Sequence, residues 1–432
     1  MIDDAVNKFD KEVIPDKPPS ELPLLKEYKT TFKEKDYFQD TDVLFIQHHL
    51  GPFIPRIREM SDDGMEKART WFVDIPYSTN INTKLMLGKD GYETDKMTKI
   101  FNDPLDDYDK NQSDRMKFLL FKLANKLDFR KLLVIDDGAY FLRFLYSANI
   151  HDPEIAKLFS GASIVEQTTR GHRFIEKQAT EIIEKYKLCV VSIARCHTKL
   201  NFESPFIGAA VSRALTSRIG DTKLSVMRSI AVIGFGAVGK STVKRLLKKS
   251  PLAIIDVIDI DKDKRDDAIK LDQRVNAIKS LNQKHQCKLV VGCTGYTSFE
   301  LSDRKLLADE AYLASGSSAA LEFNRQGFVE LADKYPDDEI EILDREETVK
   351  KGIHADIKFS QEGGKNFTFL NSGFPVNFDG KMECLPPKVI QSTHTLLYSA
   401  ATQAIENYIP GIVQKIHTDK DHWIFKNSFK YL

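Results

Sequence analysis

From Val43 onward the chain alternates between short apolar runs and amphipathic stretches. VLFIQHH (from Val43), TWFVDIPYS (from Thr70), KLLVIDDGAY (from Lys131) and LCVVSIARCH (from Leu188) are brief, rich in β-branched residues and followed by polar ones. This pattern predicts buried parallel strands whose C-terminal ends carry ligand groups, hence a first α/β domain. A second series follows: SIAVIGFG from Ser229, AIIDVIDID from Ala253, CKLVVGCTG from Cys287 and AYLASGS from Ala311. PFIGAAVSRALTSRIG predicts a helix leading into this second series, stopped at Gly220-Asp221. AVGKSTVKRLLKK predicts another, with Val243, Leu246 and Leu247 on one side and lysines elsewhere. PPKVIQSTHTLLYSAATQAIENY predicts one long helix that returns the chain to the first domain. The resulting division is an N-terminal lead-in over 1–39, a substrate domain over 40–208 and 372–410, a Rossmann-type domain over 209–371, and a tail over 411–432.

At 432 residues the chain is long enough for two or three domains, each with its own core. No apolar run reaches membrane-spanning length, and the acidic, polar N-terminus lacks the features of a secretory signal. With 63 basic and 63 acidic residues the formal charge is zero, which removes the long-range attraction a nucleic-acid binder uses. Five scattered cysteines form neither a metal-ligand pattern nor a disulfide framework, as suits a reducing, cytoplasmic compartment.

IGFGAVGKS, from Ile233 to Ser241, satisfies two phosphate-binding patterns at once. Read from Gly234 it is the dinucleotide fingerprint G-x-G-x-x-G and also the NTPase loop G-x-x-x-x-G-K-S. A dinucleotide site needs an acid about 20 residues on, at the end of the next strand, to bind ribose hydroxyls. Asp259 stands there. Gly236 has a purpose only in the dinucleotide reading, where the backbone must approach the pyrophosphate closely. The NTPase reading needs a second acid, and Asp256 lies in a strand interior. The sequence therefore points to NAD, held by Gly234, Gly236, Ala237, Val238, Gly239 and Asp259, with the acid disfavouring the 2′-phosphate of NADP.

LVIDDGAYF, IVEQTTRGHRF, HTKLNFESPFIGAAVSRAL, IAVIGFGAVGKS and VIDID follow one another as in the S-adenosylhomocysteine hydrolases, which the chain resembles from about Val43 to Asn371. The resemblance implies permanently bound NAD and oxidation of a ribose 3′-hydroxyl, followed by elimination of the thiol, addition of water and reduction of the ketone. It assigns catalytic roles to Asp137, Glu166, Lys199, Glu203 and, on the first strand, His49. It also places Thr168, Thr169, Thr294 and Asn371 beside the cofactor, and implies a nucleoside-like ligand. The family's tail reaches into a neighbouring subunit; Lys426 and Tyr431 match it approximately, and Trp423, Ile424 and Phe425 would leave an apolar patch on a monomer, so a homodimer or homotetramer is expected. Several family positions are replaced: its second glutamate is Gln167, a threonine is Arg170, the aspartate and asparagine after the active-site lysine are Glu203 and Ser204, and two histidines correspond to Ser317 and Phe378. Full hydrolase turnover needs those groups, so the expected function is a divergent NAD-dependent enzyme, with a non-catalytic nucleotide-binding relative and a simple dehydrogenase as alternatives.

Simpler readings stand beside these. Asp136 and Asp137 follow a strand and suit the cap of the next helix. Lys199 and Glu203, four residues apart, suit a weak surface ion pair. Cys293 suits a small buried hydrophobe. No Cys or Glu stands at ligand spacing from His48 and His49, so no metal is expected.

Overall fold

The computed structural model describes residues 2–9, 12, 14–34, 36–92, 105, 107–124, 131–281, 286–317, 321–332, 339–343, 354–360 and 365–432. They form two compact units. One comprises the described residues of 14–92, 108–203 and 381–432; the other comprises Ser204–Gly380 with the helix Ile2–Phe9 and the described residues 12, 105 and 107.

The first unit is built on six parallel strands: β1 (Asp42–Gln47), β2 (Thr70–Asp74), β3 (Leu132–Asp136), β4 (Ser163–Glu166), β5 (Cys189–Ser192) and β14 (Ile412–Lys415). Their order is β14-β5-β4-β3-β1-β2. Strands run outward from β1 in both directions, so the ends of β1 and β3 border a topological switch point, where ligands of α/β sheets collect. Ile46 pairs with Asp136 across that boundary. Val43 and Phe45 point to one face, where Phe53, Ile57 and Met60 of the helix Phe53–Asp62 and Leu396, Leu397 and Ala400 of the helix Pro387–Glu406 close the core.

The C-terminal end of the chain departs from expectation. Residues 411–432 are no tail: β14 extends the sheet beside β5, and the helix Thr418–Ser428 follows it. Ile424 is fully buried, Trp423 packs edge-on against Tyr28 and Phe32, and Phe425 against His197. Tyr431 donates to Glu27 at 2.8 Å. The apolar side chains that argued for a dimer or tetramer are thus satisfied within their own unit. The lead-in ends in a short helix, Pro23–Phe32, which buries Leu24, Leu25 and Tyr28 in the same core.

The second unit contains β6 (Ser229–Ile233), β7 (Ile254–Ile258), β8 (Val275–Ile278), β9 (Cys287–Gly292), β10 (Leu307–Ser315), β11 (Glu339–Leu343), β12 (Asp356–Ser360) and β13 (Phe367–Phe369). Their order is β11-β12-β13-β10-β9-β6-β7-β8, parallel from β8 to β13 and antiparallel at β12 and β11. This is the Rossmann-type arrangement, with its switch point between β6 and β9. The fold is α/β throughout. No described helix is long and apolar enough to cross a membrane.

Candidate functional site

The turn after β6 settles the ambiguity of IGFGAVGKS. Gly234 has φ +96°, and a Cβ there would meet the Cys293 carbonyl oxygen at 2.7 Å. A Cβ on Gly239 would strike the Gly234 carbonyl, so this glycine lets the helix Ala237–Lys249 start against the strand. A Cβ on Gly236 would meet nothing within 4 Å, which leaves the backbone there open to approach. These are the three separate roles of a dinucleotide fingerprint. Ala237 and Val238 open the helix, whose N-terminal amides favour an anion. The NTPase reading fails on Ser241: its hydroxyl donates to the Pro205 carbonyl at 2.7 Å, and a Cβ on Gly208 would collide with its side chain. It is a packing residue between two helices, occupied where an NTPase would need a magnesium ligand.

Asp259 ends β7 as expected and also holds the turn. Its Oδ2 accepts from the Phe235 amide at 2.7 Å and its Oδ1 from the Asp261 amide at 2.9 Å. A carboxylate has about four lone-pair sites, so two remain for ribose hydroxyls. The residues present fit a dinucleotide. Thr294 is committed elsewhere: its amide and hydroxyl donate to Glu322 at 2.6 and 2.8 Å, and Gly295 and Ser298 donate to the same carboxylate. Ser317, at the family's histidine position, donates to Glu322 too. This fully buried glutamate, unnoticed in the sequence, ties the loop after β9 to the end of β10. Asn371 adopts the left-handed conformation at φ 54°; its side chain accepts from Arg218 at 2.8 Å and donates to the Pro375 carbonyl at 2.9 Å. Burial pushes the Cys293 thiol up, away from nucleophile chemistry.

In the first unit a second cluster occupies the switch point. Lys199 and Glu203 lie on a single π-helical turn, Lys199–Glu203, a geometry that recurs at functional sites. Lys199 Nζ lies 2.8 Å from Oε1 and 2.6 Å from Oε2 of Glu203. The pair is no surface ion pair, because the lysine and glutamate side chains are only 16% and 8% exposed. Thr393, on the long helix, donates to Oε2 of Glu203. Asp421 anchors the turn by accepting from the amides of His197 and Thr198 at 2.7 and 3.1 Å.

The adjacent acids Asp136 and Asp137 divide between the simple and the chemical reading. Asp136 caps the helix Tyr140–His151, accepting from the Tyr140 and Phe141 amides at 3.1 and 2.8 Å. Asp137 faces the cluster instead: His48 Nε2 is 3.2 Å from its Oδ2, and the Gln167 amide donates to the same oxygen. Burial raises Asp137 to about 7 against the opposing charge of Lys199. Burial and the Lys199 charge hold the His48 imidazole neutral, down to about 3. The Ser78 hydroxyl donates to the Ile75 carbonyl, so His48 Nδ1 is the donor in its short contact with Ser78. Nε2 is left to accept the proton that the Asp137 carboxyl carries.

Two expected catalytic residues have other neighbours than the Lys199 cluster. His49 turns away from Asp137; its ring stacks on Phe53 and meets Phe72 edge-on, and its nitrogens have no partner among the described residues. His48 takes the place at the acid. Glu166 is fully buried and accepts from the amides of Gly138, Ala139 and Thr168 at 3.2, 2.8 and 2.7 Å, and from the Thr168 hydroxyl. It positions the loop that presents Asp137. Thr168 is accordingly a cap, accepting from Gly171 at 2.9 Å, while Thr169 lies exposed on the helix's first turn. Among the described residues no three His, Cys, Asp or Glu side chains gather in a metal-holding arrangement.

No family model matches the chain. Two proteins of Mycobacterium tuberculosis, from strains CDC 1551 / Oshkosh and ATCC 25618 / H37Rv and both described as uncharacterized, are 27% identical to it over 347 residues, 79% of this chain. The match spans 60% of the length of these relatives. Among solved structures, the pyruvate reductase of Chlamydomonas reinhardtii superposes with TM-score 0.34 at 11% identity, covering 69% of this chain and 75% of the other. A dipicolinate synthase component from Bacillus halodurans gives 0.35 at 11% identity, covering 68% and 86%. D-2-hydroxyisocaproate dehydrogenase gives 0.30 at 8% identity, covering 68% and 75%.

Proposed function

We propose that the chain is an NAD-dependent enzyme of the adenosylhomocysteinase type that acts on a nucleoside-like substrate by transient oxidation of a ribose hydroxyl. The eight-stranded unit binds NAD at the Gly234 turn, with Asp259 on the adenosine ribose. NAD, when bound, supplies the hydride acceptor. The six-stranded unit holds the substrate at its switch point. There Lys199, fixed by Glu203, hydrogen-bonds the hydroxyl oxygen, and Asp137 with His48 takes up the released proton. The observation that carries this reading is the buried Lys199–Glu203 pair gathered with Asp137 and His48 at the end of β1 and β3. The test is absorbance in the reduced-nicotinamide band when adenosine is added to the purified protein loaded with NAD.

The second reading is a non-catalytic nucleotide binder. It is favoured by Gln167 and Ser317, which stand at family acid and histidine positions and are engaged in bonds to Asp137 and Glu322. Elimination and water addition lack those helpers, so oxidation is the step expected to survive and complete turnover of S-adenosylhomocysteine the step expected to fail. Absence of any nicotinamide reduction with adenosine would favour the binder.

A further inference from the structure

The upper corner of the six-stranded unit, on the core face of its sheet, concentrates hydrogen-bond donors. Along β1 the pleat turns Val43, Phe45 and Gln47 to one side. Val43 and Phe45 enter the apolar core, and Gln47 stands at the end of that row, 3% exposed. Arg56, on the helix Phe53–Asp62, is fully buried against the Phe53 and Phe45 rings, its guanidinium carbon 4.9 and 5.7 Å from their centres. Its Nη2 donates to Gln47 Oε1 at 2.7 Å. Nε and Nη1 of Arg56 and Nε2 of Gln47 have no acceptor among the described residues, and neither has Nδ1 of His394, from the long helix. Three of these four atoms are donors only, and the fourth is a donor in one tautomer.

We propose that Gln47, Arg56 and His394 form a subsite for an oxyanion, the carboxylate or phosphate group of the ligand. The inference rests on the reading of this unit as the ligand domain. A buried guanidinium with donors left over demands an acceptor, and a charged acceptor matches both its charge and its surplus of N–H groups. The neighbourhood agrees. Burial drives Arg56 down to about 9 and is offset only by the charge of Asp137, while the Arg56 and Lys199 charges add to burial in holding His394 neutral. One helix places the subsite next to the reacting groups, since Thr393, adjacent to His394, donates to Glu203. None of the three residues was marked by the sequence motifs. Arg56 was legible only as a cation on an otherwise apolar stripe, three residues from Phe53 and four from Met60.

The experiment is thermal unfolding of the full chain at constant ionic strength, with chloride replaced by inorganic phosphate in one arm and by acetate in the other. The wild type should show a saturable rise in midpoint, about 5 °C at a hundredfold excess over Kd, in the arm that matches the ligand's group. Arg56→Met should lose that rise whatever its own midpoint in chloride, because it removes the buried charge and also the donor to Gln47 Oε1. Arg56→Gln is the second variant. The proposal is overturned by equal midpoint rises in wild type and Arg56→Met, by no saturable rise in either arm, or by failure of both variants to fold, which would make Arg56 an internal structural cation. The readout needs neither NAD nor turnover. A midpoint shift without nicotinamide reduction would sink the enzymatic reading alone, and reduction without the shift would sink the subsite alone.

Discussion

Glu203 holds Lys199 with both oxygens, at 2.8 and 2.6 Å, and is itself held by Thr393, 190 positions further along the chain. The lysine's ammonium is thereby fixed in position rather than swinging in solvent. Lys199→Ala should abolish nicotinamide reduction by adenosine while leaving NAD in place. Glu203→Gln, which keeps the shape and loses the charge, should slow reduction by about 10²- to 10⁴-fold. The paired measurements are absorbance at the reduced-nicotinamide band and calorimetric titration with NAD.

The two neighbouring histidines should separate cleanly. His48→Ala removes the partner of Asp137 and should lose most of the reduction; His49→Phe, inside an aromatic cluster, should retain it. The same pair tests acid stability. Burial holds His49 at about 4, below its unfolded value of about 6.5. Its contribution is therefore present above pH 6.5 and lost as pH falls toward 4, about 2 kcal/mol at pH 5. Denaturant titrations at pH 7 and pH 5 should show a smaller acid loss in His49→Phe than in the wild type; equal losses would mean that His49 is not buried neutral.

Asp137 titrates in the opposite sense. Its folded value, raised to about 7, lies above the unfolded one, so the native state holds a proton that the unfolded chain has released, and this contribution is lost as pH rises from about 4 through 7. The ionised carboxylate is also the form that accepts a proton. Nicotinamide reduction should rise as pH passes through about 7, and Asp137→Asn should remove that limb while gaining relative stability at pH 8. A flat profile in the wild type would exclude Asp137 as the proton acceptor.

At the dinucleotide turn, Asp259→Ala should weaken NAD binding by about 10- to 100-fold, from the loss of charge-assisted bonds. Gly236→Val should block it by filling the open approach. Lys240→Ala should leave NAD affinity unchanged, since this lysine points at the Phe235 ring and not at a phosphate-binding pattern of its own. NADP bound as tightly as NAD would contradict the role given to Asp259.

Asp421 links the C-terminal helix to the turn that presents Lys199. Asp421→Ala leaves the amides of His197 and Thr198 short of an acceptor, while the Thr198 hydroxyl keeps the Asp421 backbone carbonyl, a loss of about 1–3 kcal/mol. It should lower the reduction rate as well as the unfolding midpoint, even though Asp421 lies far along the chain from Lys199. A drop in midpoint with an unchanged rate would separate the helix from the site.

The sequence by itself determined what depends on near neighbours. Strand runs, the long helix, the helix after Gly236 and the three glycine roles follow from side-chain period and backbone sterics within a few residues. β4 escaped notice because only Ile164 and Val165 of its four residues are apolar, whereas β5, equally short, carries Cys189, Val190 and Val191 in a row. What only the tertiary structure decided is which member of each adjacent pair faces the chemistry. Asp136 and Asp137 are equivalent as a local pattern, yet the amides of the following helix claim one and leave the other. His48 and His49 differ only in which way the chain leaves β1, and that exit sends one ring to Asp137 and the other among Phe53 and Phe72. The partners that give these groups their character, Thr393, Asp421, Gln167 and the core around Arg56, arrive from distant segments. Their proximity is created by strand order, and no spacing along the chain encodes it.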